Sequence, residues 1–387
     1  MGLGRLAVAL DRPSYTIGQP VSGTVFVEAH TEIPTKSIFV KVKGKEKVKW
    51  EEHWDEDVYA GDGEERRKVG TEHHEKKYQE SDGFFKLKIS LGDGSSTIPP
   101  GRHAFPFRFN LPSQSHGAAR MPGSFLYYDG RASFKQSRQV RHLKAKVEYS
   151  IKAVCDVDSW WRSDLSKKID FTVYERPTSA VENPTASLTQ PVMLCCCINK
   201  GDVSIVAACN KSVFHPGEHA QAKMRVVNGS TKEITPAVEL NRHLEFRAHG
   251  HSISDHEMKT VGRSDPIAPG ETREVTIDFV IPQDLPSTKG RCVDCHYIMD
   301  VLTEVSWAPD IEIHFPLNIF MSATDWKSHL GDVSGFVPAK LPCVVTPEPF
   351  KNGVVIPVKT EPDCPECHNK PGGCSFCADW KQVAFDT

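Results

Sequence analysis

No stretch of this chain comes near the roughly 20 consecutive apolar residues that a bilayer-spanning helix needs. The start, Met1 to Leu10, also lacks the long apolar core and cleavage site of a secretory leader, and it reads as a strand. Charge of one sign is not in excess. A formal net charge of -3 over 387 residues gives no global attraction to nucleic acid or acidic lipid. Amphipathic helices with caps are missing as well. So are the short catalytic signatures: there is no Gly-x-Ser-x-Gly elbow, no phosphate-binding loop and no dinucleotide fingerprint. His73-His74-Glu75 fails as a zinc-protease start, because Tyr78 stands where the second histidine belongs. The chain is therefore expected not to be an enzyme. Cysteine is the exception to this scarcity. Twelve cysteines without a leader read as reduced thiols or metal ligands rather than a disulfide framework. The triplets Asn210-Lys-Ser212 and Asn228-Gly-Ser230 read as incidental rather than as glycosylation sites.

What is present is alternation with period two. Ile38, Val40 and Val42 share a face with Lys41 and Lys43 opposite; Phe85, Leu87, Ile89 and Leu91 alternate with Lys86, Lys88 and Ser90. Val147, Tyr149, Ile151 and Ala153 alternate with Glu148, Ser150 and Lys152, and Tyr297 to Val305 repeats the habit. Such short strands between turns predict β-sandwiches. The pattern also occurs twice. Tyr15, Gly18, Val21, Val25 and Val27 are answered by Phe214, Gly217, Ala220, Met224 and Val226. Pro100-Gly101 before Phe105, Phe107 and Phe109 is answered by Pro269-Gly270 before Val275, Ile277 and Phe279. So long a period means two copies of a whole domain rather than a solenoid. The predicted order is an all-β chain with a sandwich over 1–175, a linker over 176–200, a second sandwich over 201–322, and a largely irregular, cysteine-rich tail over 323–387.

Within the first sandwich, Glu51 to Asp82 and Leu126 to Lys144 read as long loops, which in compact sandwiches are functional or mobile. The second carries Arg131, Lys135, Arg138, Arg141 and Lys144. Guanidinium and ammonium groups so placed would hold phosphorylated peptide or anionic lipid, or else form a solvated loop; without an aromatic ladder nucleic acid is disfavoured. In the tail, Cys364-Pro-Glu-Cys367 and Cys374-Ser-Phe-Cys377 offer four thiolates, the donor set of one tetrahedral Zn2+; a reduced tail with incidental cysteines is the alternative, and both stay open. Cys292-Val-Asp-Cys295 opens a predicted strand, where the two side chains diverge, so buried structural thiols are expected there. Cys195-Cys-Cys197 reads as packed linker rather than a lipidation site, and His249-Gly-His251 with His256 as a polar turn region rather than a metal site.

Taken as a whole pattern over roughly the first 320 residues, these motifs resemble the arrestin fold, and more closely the α-arrestins, or arrestin domain-containing proteins. The residues that carry the likeness include Tyr15-Thr-Ile-Gly18, Val21-Ser-Gly-Thr-Val25, Val40-Lys-Val-Lys-Gly44, Pro99-Pro-Gly101, Leu111-Pro112, Pro122-Gly-Ser-Phe125 and Phe214-His-Pro-Gly217. The resemblance implies two tandem arrestin-like sandwiches and a non-enzymatic cytoplasmic adaptor, recruited to plasma membrane or endosomes. Its implied partners are cytoplasmic tails or loops of transporters and receptors, with trafficking or ubiquitin-ligase machinery, and peripheral membrane association. Family members recruit ligases through a tail Pro-Pro-x-Tyr motif. This chain has none, so its route to a ligase is open. Some relatives bind thioredoxin, which makes a redox-responsive regulator the alternative.

Overall fold

The computed structural model describes residues 3–321, apart from 13, 61–65, 93–95, 113–120, 130–132, 136–137, 161–162, 176–179, 195–197 and 284, together with 337–338. Among the described residues all regular structure is strand, as the alternation predicts.

The first sandwich pairs two sheets. One contains β1 (Gly4–Leu10), β3 (Pro20–Ala29) and β7 (Gly101–Asn110), with β22 (Val337–Pro338) joining β7 in parallel. The other runs β2 (Ser14–Thr16), β11 (Leu165–Tyr174), β10 (Arg138–Val157), β4 (Ile33–Ala60), β5 (Arg67–Ser90). Three short strands decorate it: β6 (Ser96–Ile98) on β4, and β8 (Phe125–Asp129) and β9 (Ser133–Lys135) on β10. Val25, Phe107 and Phe109 from one sheet meet Val42, Ile89 and Ile151 from the other in a continuous buried core. Burying side chains of this size stabilises a fold by about 1.5–3 kcal/mol each, which is why the apolar period of two decides which face turns inward.

The second sandwich repeats the scheme. β13 (Ile198–Cys209), β15 (His219–Ser230) and β18 (Thr272–Val280) stand for β1, β3 and β7, with β12 (Thr185–Leu194) added at the edge. The order β14 (Val213–Phe214), β21 (Ile311–Ile319), β20 (Val293–Val305), β16 (Ile234–Ala248), β17 (His251–Arg263) copies β2-β11-β10-β4-β5, and β19 (Thr288–Lys289) joins β20. Even the unusual parallel pairing recurs, β2 with β11 and β14 with β21. The matched motif positions explain why. Tyr15 and Phe214 are both essentially inaccessible, and Gly18 and Gly217 both hold a left-handed backbone, at φ 88° and 80°, that any side chain would strain.

Two expectations fail. Residues 51–60 and 67–82 are not loop, because β4 and β5 stay paired from Phe39↔Ser90 out to Ala60↔Arg67, with register irregularities between Gly44 and Glu46 and between Val58 and Tyr59. Beyond Trp54 this arm leaves the core, so both its faces meet water and no apolar period marks it as strand. Residues 126–144 are not one loop either, since β8, β9 and the start of β10 occupy most of that stretch. No helix among the described residues is long and apolar enough to cross a membrane.

Candidate functional site

The basic stretch does not converge. Arg138 and Arg141 lie on opposite faces of β10, because alternation puts Arg138 on the face of buried Val140 and Arg141 on the other. Arg138 donates to Glu52 at 2.9 Å and its guanidinium lies 4.4 Å over the Trp54 ring, while Glu52 also accepts the Trp50 indole N–H at 3.1 Å. That cation is committed to holding the hairpin. Arg141 donates to Gln139 at 2.9 Å. A register irregularity at His142 (φ 54°) then returns Lys144 to the outer face, opposite Lys49. Lys135 pairs through its backbone in β9, and Arg131 lies outside the described residues. Cys364, Cys367, Cys374 and Cys377 lie outside them too, as do Cys195 to Cys197.

The most elaborate polar arrangement is instead the seam between the sandwiches, which no sequence motif announced. The turn from β19 into β20 in the second sandwich is gripped by two carboxylates of the first. Glu175 accepts the Lys289 N–H at 2.7 Å, the Thr288 hydroxyl at 3.0 Å and the Gly123 N–H at 3.2 Å. Glu46 accepts the N–H groups of Arg291 at 3.1 Å and Cys292 at 2.7 Å. Both side chains are buried, so these bonds replace hydration that burial removes. Burial raises the Glu46 pKa above the usual carboxylate range despite the amides that favour its charge.

Around this centre, Arg291 forms ion pairs with Glu80 at 2.9 Å and Asp82 at 3.2 Å, and Glu80 accepts the His249 N–H at 2.6 Å. Tyr127 stacks on Phe246 at 5.3 Å and donates to Asp255 at 2.8 Å, and Tyr78, itself stacked on Trp50, touches the His251 ring. His249 and Gly250 make the tight turn between β16 and β17, both at positive φ. His256 lies within β17, where its ring stacks on His243, which stacks in turn on His296.

The four described cysteines, Cys155, Cys209, Cys292 and Cys295, are all buried thiols. Burial pushes Cys155 and Cys292 up to about 12, so neither is a thiolate at neutral pH. Two groups bring three potential metal ligands within 4.8 Å of one another: Glu51, His53 and Glu75, and Asp300, Glu312 and His314. In the first, Glu75 also pairs with Lys77 at 3.0 Å; in the second, His314 pairs with Asp300 of the same group at 2.6 Å.

Comparison with known proteins fits this geometry. Residues 6–178 match the family described as "Arrestin (or S-antigen), N-terminal domain", and residues 199–324 match "Arrestin (or S-antigen), C-terminal domain". "Arrestin domain-containing protein A" of Dictyostelium discoideum is 28% identical over 324 residues, covering 82% of this chain and 51% of its own length. The chain thus spans about half the length of that relative. "Arrestin domain-containing protein 17" of Caenorhabditis elegans is 22% identical over 341 residues, covering 82% of this chain and 69% of its own length. "Arrestin domain-containing protein 4" of Homo sapiens is 21% identical over 313 residues, covering 79% and 68%.

Proposed function

Because this chain belongs to the arrestin family, among the arrestin domain-containing proteins, we propose that it is a cytoplasmic adaptor that binds cytoplasmic segments of membrane cargo and brings trafficking or ubiquitination machinery to them. The observation that carries this reading is the seam. Both arrestin domains are present, and Glu46 and Glu175 seat one on the other through backbone donors, which fixes their mutual orientation. A scaffold with two fixed halves offers extended peptide strand edges, among them β5 in the first sandwich and β17 in the second, each of which ends its sheet among the described residues. Addition of a cargo segment to such an edge uses main-chain hydrogen bonds, so one adaptor serves several cargoes with modest affinity for each. The segment beyond residue 322 would then raise the local concentration of effectors beside the cargo.

The alternative, a thioredoxin-binding regulator, needs an accessible reactive thiol. The buried thiols of Cys155, Cys209, Cys292 and Cys295 do not favour it among the described residues. Proximity labelling in living cells with the full chain separates the two readings. Transporters, receptors and ubiquitin or sorting machinery are the expected neighbours. A labelled set led by thioredoxin, or one without membrane proteins, overturns the adaptor.

A further inference from the structure

The outer face of the β11-β10-β4-β5 sheet carries a field of lysines that only the strand register reveals. Lys168, Lys152, Lys41 and Lys88 stand directly opposite one another on four adjacent strands. With strands about 4.8 Å apart, this single rung crosses roughly 15 Å of surface. Like charges directly opposite are unfavourable in a sheet. Yet the arrangement repeats along the strands, with Lys43 opposite Lys86, Lys47 opposite Lys146, and Lys49 opposite Lys144. Glu148 neutralises one pair, lying 2.7 Å from Lys47 and 2.5 Å from Lys146, and Asp170 lies 3.1 Å from Lys168. Among the described residues, no carboxylate pairs with Lys43, Lys45, Lys49, Lys86, Lys144 or Lys152. The whole chain has a formal net charge of -3, so this face is a local concentration and not a reflection of a basic protein.

Two large apolar side chains stand in the same field. β8 continues the sheet beside β10, and its outward residues Leu126 and Tyr128 are 61% and 64% exposed, opposite Lys146 and Lys144. Exposed apolar and aromatic groups set among lysines are the composition of a surface that rests at a lipid headgroup boundary. The cations are also the kind suited to a diffuse anionic plane. Lysine ammonium groups act as point charges on flexible stems, whereas a defined phosphate or carboxylate is gripped by the planar fork of arginine. The charges are spread over four strands rather than along one edge, which fits a flat bilayer better than an extended acidic peptide.

We propose that the outer face of the β11-β10-β4-β5 sheet is a membrane-docking surface for anionic phospholipid, with Leu126 and Tyr128 entering the headgroup layer. This rests on the reading that the chain works at membranes and supplies the contact for it. Docking by this face leaves the seam and the β17 edge to engage cargo. It also makes membrane residence a sum of many weak electrostatic contacts, each worth about fivefold in affinity near an acidic leaflet.

The test is co-sedimentation of the full chain with phosphatidylcholine vesicles, with and without phosphatidylserine, across a range of salt. The expected result is binding only to the phosphatidylserine vesicles, lost as salt rises. The variant K43E/K86E should lose about 25-fold or more. K223E/R225E, which makes the same charge change on the exposed side of β15, should bind as the parent does. In K43E/K86E the two glutamates still repel each other across the strands, but each now neighbours Lys41, Lys45 or Lys88 as an opposite charge, so weakened binding is not explained by unfolding, and circular dichroism checks this. Replacing Leu126 and Tyr128 with serine should weaken binding with little change in its salt dependence. Equal binding to neutral vesicles, equal loss in both charge variants, or capture of polyglutamate without vesicle binding overturns the proposal. None of these outcomes changes the proximity-labelling result, so failure of this surface and failure of the adaptor reading remain distinguishable.

Discussion

Glu148 sits between Lys47 and Lys146 with its side chain only 14% exposed, and the two ammonium groups lower its pKa to about 2. Its folded pKa lies below its unfolded one. The stability it contributes is therefore present above the ordinary glutamate range and is lost as pH falls toward 2. Glu46 has the opposite sign. Burial raises its folded pKa, so its contribution is complete at low pH and fades as pH rises past the unfolded value. Glu148→Gln should lower stability by about 1–2 kcal/mol at pH 7, the Coulombic gain being discounted because both lysines are partly exposed. The gap should close near pH 2. Urea unfolding of parent and variant at pH 7, 4 and 2 reads this directly; a gap that persists at pH 2 shows that packing, not charge, is what Glu148 supplies. Single residues also show what the sequence could and could not disclose. Asn228 heads an apparent glycosylation triplet, yet it is fully buried. Its amide donates to the carbonyls of Lys232, Ile267 and Ala268 at 2.8–3.1 Å, which agrees with reading the triplet as incidental.

The turn between β19 and β20 sets how closely the sandwiches approach. At Gly290 an added Cβ would stand 2.5 Å from both Glu46 carboxylate oxygens, so this glycine is required by close approach rather than by its backbone angle. Gly290→Ala should therefore push Glu46 off the Arg291 and Cys292 amides while leaving both cores intact. A cost of about 1–3 kcal/mol is expected, as for overpacking elsewhere. Hydrogen exchange should quicken at Arg291 and Cys292 more than at Val42 or Val301 in the two cores; uniform quickening would mean that the seam and cores unfold as one unit. The elements themselves were largely legible. Wherever one face is buried, alternation fixes strand and face together, as in Val147 to Ala153, and the paired glycines Gly18 and Gly217 disclosed the duplication. The outer arm of β4-β5 was not, because charges on both faces erase the period. The seam was hidden for a different reason. Glu46 and Glu175 act on backbone N–H groups, which no side-chain motif encodes, and Glu46 meets residues 245 and 246 positions away.

At the scale of the molecule, charge is divided rather than balanced, and folding and the proposed membrane contact pull that division in opposite directions. The sequence disclosed lysines opposite the apolar positions on β4, β5 and β10 one strand at a time; only the register stacks them into rungs. Each like-charged pair directly across a sheet is destabilising. Salt exposes the conflict. Added sodium chloride shortens the Debye length from about 10 Å at 0.1 M to about 3 Å at 1 M, which weakens repulsion along the rungs and attraction to an acidic bilayer alike. The parent chain should therefore become more stable to heat between 0.05 and about 0.5 M salt while losing its hold on phosphatidylserine vesicles. K43E/K86E should begin more stable than the parent at low salt and show a flatter dependence, because repulsion from Lys41, Lys45 and Lys88 becomes attraction even though the two glutamates still face each other. Thermal unfolding of both proteins along one salt series measures this. Parallel dependences would place the charge-sensitive step elsewhere, in the Arg291 ion pairs of the seam, where screening lowers stability instead of raising it.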